Sequence, residues 1–135
     1  MDLLNLLLEL HSVVRWVIVA VTIVALIWFA LVWLRGMRNE KADRGLMAAF
    51  TGVIDLQVLL GVIYIIWSGL AGAGFPRYRL EHAVIMIIAA AVAHMSMRWR
   101  KSAPQLRARN YVGVIVAVLV LVYIGVSLLP QGWLG

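Results

Sequence analysis

Residues 12–34 read SVVRWVIVAVTIVALIWFALVWL, and apart from Ser12, Arg15 and Thr22 every side chain in that stretch is apolar. About 20 helical residues cross a hydrocarbon core of about 30 Å, so this run is long enough to span a bilayer. Three more runs have the same character, at roughly 46–68, 81–99 and 110–129. None alternates as the strands of a closed barrel do, and a lipid-exposed backbone satisfies its polar groups only in a barrel or a helix. The expected fold is therefore all-α: an integral membrane four-helix bundle occupying residues 1–135 as one transmembrane domain.

Composition agrees with that reading. The chain is 64% hydrophobic and 13% charged, with a mean hydropathy of +0.98, which leaves too little polar surface to face water all round. It has no cysteine, which excludes disulfides, thiolate-bound metals, iron–sulfur clusters and thioether-linked haem. The charge is distributed unevenly. Arg35, Arg38, Lys41 and Arg44 follow the first run, and Arg98, Arg100, Lys101, Arg107 and Arg109 follow the third, so nine of the twelve basic residues lie on one side. The positive-inside rule makes that side cytoplasmic and puts both termini outside. Trp16, Trp67 and Trp133 then mark the outer interface and Trp33 and Trp99 the inner one. The +6 net charge is read as topology and contact with lipid headgroups, without nucleic-acid binding.

The N-terminus lacks a basic leader region and is expected to stay in the mature fold. Asp2, Asn5, Glu9 and Ser12 recur at helical spacing, so the first helix is expected to begin before its span. A straight helix from Leu3 to Leu34 would measure about 48 Å, and must project from the membrane or bend near His11. Glycines from Gly69 and the closing Pro76 mark the outer turn, and Ser102 to Pro104 break the inner loop. Glu9-Leu10-His11 loosely echoes Leu80-Glu81-His82, which suggests two related helical hairpins.

Ionisable residues in or near lipid are costly and therefore candidates for function: His11, Arg15, Asp55, Glu81, His82 and His94. The first and third helices run in the same direction and each begins with a histidine, so His11 and His82 should lie at one depth. His82 shares a helix face with Met86, Ala89 and Ala93, and His11 with Arg15, Thr22 and Phe29. Two imidazoles at one level beside small residues suit a flat macrocycle, and Arg15, Arg77 and Arg79 are the nearby cations for its acidic groups. These residues are expected to bind haem b near the outer face, with His11 and His82 as ligands to the iron. The same histidines admit a purely structural role, bonded to backbone or headgroups, and a bound metal ion. His94 lies about 18 Å further in, and with no fourth histidine one bis-histidine haem is the ceiling. Asp55 and His94 form a candidate proton or quinone site, with a neutral Asp55 bonding another helix as the structural alternative.

The motif His11-Ser12-Val13-Val14-Arg15-Trp16, the stretch Gln57-Val58-Leu59-Leu60-Gly61 and the pair Glu81-His82 together resemble a family of small four-helix bacterial membrane proteins, themselves largely uncharacterised. That family carries His-Ser-x-x-Arg-Trp in its first helix, a Gln-Leu-x-x-Gly-like stretch in its second, from which this chain departs at Val58, and Glu-His opening its third. The layout is more distantly similar to cytochrome b-like four-helix membrane proteins. The resemblance implies a bacterial cytoplasmic-membrane location. Together with the histidine argument, the expected function is an electron-transfer protein or subunit with one haem, exchanging electrons with quinone. Two alternatives remain: a colourless accessory subunit of a respiratory or other membrane complex, and a small, homo-oligomeric transporter or channel using Asp55 and His94.

Overall fold

The computed structural model describes residues 2–133, and among them there are four long helices and no strand. Helix α1 spans Leu3–Arg35 without interruption, about 50 Å at 1.5 Å per residue. It is continuous through His11, so the amphipathic N-terminal turns extend the first span outward. The Asp2 carboxylate accepts from the Asn5 N–H at 2.8 Å to cap its start. Gly36, at φ 67°, ends it in the left-handed conformation that glycine adopts without strain.

Helix α2 (Glu40–Ser68) starts under a second cap, Asn39 accepting from the Ala42 N–H at 3.1 Å, and leads into a wide helical turn at Gly69–Ala73. Pro76 precedes helix α3 (Arg77–His94), which tightens into a 3-10 segment over Met95–Trp99. Helix α4 (Pro104–Ser127) opens with proline in its first turn, where the missing N–H would be unpaired in any case. All four helices are long and apolar enough to cross a membrane. Both termini lie at one end of the bundle and the Arg-rich connections at the other, here called the terminal end and the basic end.

Each helix packs against two neighbours, in the cyclic order α1, α2, α3, α4, so α1 and α3 form one diagonal of a square. The interior changes along its length. Toward the basic end, Ala25, Phe29, Val32, Phe50, Ala93, Ile115 and Val118 are fully buried, and Phe29 meets Tyr111 edge to face at 5.1 Å. Outside, Ile23, Ile27, Leu34, Leu59, Leu70 and Val84 are each more than half exposed, a surface that suits hydrocarbon and not water.

An ion-pair network closes the basic end. Arg107, read from sequence as a loop cation, is buried. Its Nη2 lies 2.6 Å from Asp43 Oδ2 and 3.1 Å from Glu40 Oε1, while its Nη1 donates to the carbonyls of Arg100 and Ser102. Trp28 Nε1 donates to the other Asp43 oxygen at 2.7 Å, which brings α1 into the same network. Three helices thus meet on one carboxylate, whose charge is both paired and hydrogen-bonded, as a buried charge must be, and the loop before α4 joins them through Arg107.

Candidate functional site

Toward the terminal end the packed core gives way to a cavity of about 380 Å³. Its walls come from all four helices, and both His11 and His82 line it, reaching the same space from the two diagonal helices. Below them Ile18, Ile54, Ala89 and Val118 continue an apolar shaft whose floor is Thr22 and Phe50. Leu129, Gln131, Gly132 and Trp133, in the turns after α4, cover the terminal end. Gly132, at φ 59°, permits that reversal.

His82 is held by α4. Its Nδ1 lies 2.7 Å from the Gly125 carbonyl oxygen, which only accepts, so Nδ1 carries the proton and a neutral ring keeps its lone pair on Nε2. Glycine eases the close approach: a Cβ at position 125 would displace the movable Met86 methyl group and stand 3.1 Å from Ile85 Cγ2. His11 is positioned by α2. Gln57 Nε2 donates to the His11 carbonyl at 2.8 Å. One turn later, Gly61 lies under the imidazole, where a Cβ would stand 3.1 Å from Cε1. The two polar and glycine positions of the second-helix motif therefore dock on the histidine of the first.

Among the described residues, five buried side-chain atoms have no hydrogen-bond partner: His11 Nδ1, Arg15 Nε, Thr22 Oγ1, Gln57 Oε1 and Trp133 Nε1. All five belong to residues lining this cavity. Thr51, Ser68 and Ser127 spend their hydroxyls on carbonyls of their own helices, whereas Thr22 does not. Buried polar groups are rarely left unpaired, so five around one apolar space make it a candidate site for a ligand or ordered water that could pair with them. Arg15 spans the mouth: Nη1 donates to the Trp133 carbonyl at 3.3 Å and the guanidinium lies 5.1 Å from the Trp16 ring centre.

Arg77 and Arg79, expected beside Arg15, do not line the cavity. Arg77 is almost fully exposed and pairs with Glu81 at 2.7 Å. Arg79 donates to Ser68 Oγ at 3.1 Å and lies over the Tyr64 ring. Asp55 and His94 do come together, with His94 Nε2 at 2.7 and 2.9 Å from the two carboxylate oxygens, but on the lateral surface of the bundle and apart from the cavity. Among the described residues, no three His, Asp or Glu side chains converge to hold a bare metal ion.

The side chains at this cavity are of the kinds that a non-covalent macrocycle held between two histidines would need. Two imidazoles reach one apolar space, and His82 has the backbone-anchored Nδ1–H that orients a metal-binding imidazole. Ala83 and Ala89 keep the α3 wall low, and unpaired N–H groups of Arg15 and Trp133 sit at the mouth. Gln57, Gly61, Gly125 and Trp133 complete this set. Of these, Gln57 and Gly61 were marked by the spacing Gln-x-x-x-Gly, while no sequence signal marked Trp133 as more than an interfacial aromatic. No protein family, characterised protein or solved structure matches the chain.

Proposed function

We propose that this chain is a multi-pass protein of the bacterial cytoplasmic membrane, termini outward, that binds one b-type haem between His11 and His82 and serves in electron transfer. The observation that carries the reading is the convergence of these two histidines, from diagonal and parallel helices, on a single apolar cavity. Bis-histidine haem supplies one-electron chemistry with no open coordination position, which favours electron transfer over oxygen activation. The protein's own contribution is positional. Gly125 fixes the His82 tautomer, Gln57 and Gly61 seat His11, and the apolar shaft excludes water. Arg15 and Trp133 offer N–H groups to acidic substituents at the mouth.

The outward placement of the termini rests on the nine basic residues of the two opposite connections. Phe29, Phe50 and Ile115 fill the bundle axis at the basic end, which weighs against a pore through a single copy.

The test is a reduced-minus-oxidised spectrum of protein purified from a haem-replete host, with pyridine extraction to identify the macrocycle. A low-spin spectrum is expected, lost in His11→Ala and in His82→Ala and retained in His94→Ala. Folded protein without haem, or a spectrum indifferent to both substitutions, overturns the proposal.

A further inference from the structure

On the outside of the bundle, where α2 runs beside α3, Asp55 and His94 hydrogen-bond each other with about half of each side chain exposed, 48% and 46%. Asp55 lies about 22 Å along α2 from Glu40 and about 20 Å from Ser68, so in a spanning helix it sits deep in the hydrocarbon. On a water-facing surface such a pair would contribute little. Facing lipid it is costly, and it calls for a partner that arrives through the lipid.

The chemistry of that partner follows from the unused nitrogen. His94 gives Nε2 to Asp55, and Nδ1 has no hydrogen bond among the described residues. Nothing else on this face completes it: the Thr51 hydroxyl is committed to the Met47 and Ala48 carbonyls, and Gly52, one turn before Asp55, borders open space. With Asp55 ionised and the ring neutral, Nε2 holds the proton and Nδ1 accepts. With one proton more on the pair, Nδ1–H donates. Nδ1 is therefore able to accept or to donate, according to the number of protons the pair holds. The complementary ligand alternates in the opposite sense, from carbonyl to hydroxyl, as a quinone headgroup does on reduction. Asp55 lies about 14 Å along α2 from Leu46, where the apolar run begins, which is further in than a phospholipid headgroup ordinarily sits.

We propose that Asp55 and His94 form a lipid-facing site for a quinone headgroup, in which His94 Nδ1 bonds a ring oxygen and Asp55 orients the imidazole. The site is separate from the cavity, so its test needs no haem.

Purified protein in phosphatidylcholine nanodiscs is photolabelled with an azido-quinone and the labelled peptides are mapped. Labelling at Gly52, Asp55, Leu56, Ala91 or Met95, none of which lines the cavity, is expected, suppressed at least about tenfold by excess decylubiquinone but not by decanol. His94→Leu should lower it about tenfold, as loss of the hydrogen bond implies, with partial recovery in His94→Gln. Because the competition arm uses the unaltered chain, misfolding of a variant does not blunt the test. Label that quinone fails to displace, or that is equal in His94→Leu, rejects the site. Quantitative disulfide cross-linking between copies through Gly52→Cys rejects it too, since a second copy would then cover this face.

Discussion

The imidazole of His11 rests on the backbone of Gly61: a Cβ there would stand 3.1 Å from Cε1 and 3.6 Å from Nδ1. Alanine at this position requires the ring to give by a few tenths of an ångström, while a longer side chain has to take the ring's place. Gly61→Ala should therefore lower haem retention a few-fold and Gly61→Leu should abolish it, with overpacking costing about 1–3 kcal/mol. The haem-to-protein ratio after purification is the measure. Full loading of the leucine variant would show that His11 is not held in this position.

Arg15 and Trp133 present unpaired N–H groups at the cavity mouth. Trp133→Phe removes one donor and keeps the ring, so haem loss to an excess of apomyoglobin should quicken about five- to tenfold. Arg15→Ala removes a charged donor and should quicken it more, about ten- to a hundredfold. With haem dimethyl ester, whose acidic groups are blocked, both differences should vanish. Their persistence would assign these residues to the fold alone.

Asp43 and Arg107 form a buried pair at 2.6 Å. Asp43→Ala leaves the buried guanidinium only the exposed Glu40 carboxylate and two carbonyls, and should cost about 3 kcal/mol. The double variant Asp43→Leu with Arg107→Met removes both charges and should recover most of the loss. Unfolding in mild detergent measures both, and equal losses in the single and double variants would refute the account.

What the sequence conveyed was largely axial. The lengths of the runs gave four helices, and the direction of each gave the shared depth of His11 and His82. Rotation about each helix axis was less legible, because these helices are apolar on nearly every side and their inward faces are weakly marked. Arg77 and Arg79 were grouped with Arg15 by depth, yet they turn to Glu81 and Ser68. Within one helix the periodicity did hold: His82, Met86 and Ala89 line the cavity together, as do His11, Arg15 and Thr22. The Asp43–Arg107 contact joins residues 64 positions apart, which no local pattern encodes.

Burial also decides where orientation is best probed. Arg38 and Arg109 are exposed at the basic end and Arg77 at the terminal end, whereas Arg107 is buried and unsuited to labelling. In intact cells, a membrane-impermeant thiol reagent should modify Arg77→Cys and spare Arg38→Cys and Arg109→Cys. Inside-out vesicles should reverse the pattern. Labelling of Arg38→Cys from the periplasm would invert the proposed topology.

The square arrangement of the helices has a mechanical side. Four rods joined only along their edges can shear into a rhombus while every edge contact keeps its length. At the basic end, the close-packed residues on the axis resist this. At the terminal end the axis is hollow, and a rigid molecule gripped by α1 and α3 would act as a diagonal brace. Filling the cavity then stiffens the half of the bundle that its own side chains leave free to rack, and slower amide exchange on loading should be concentrated there.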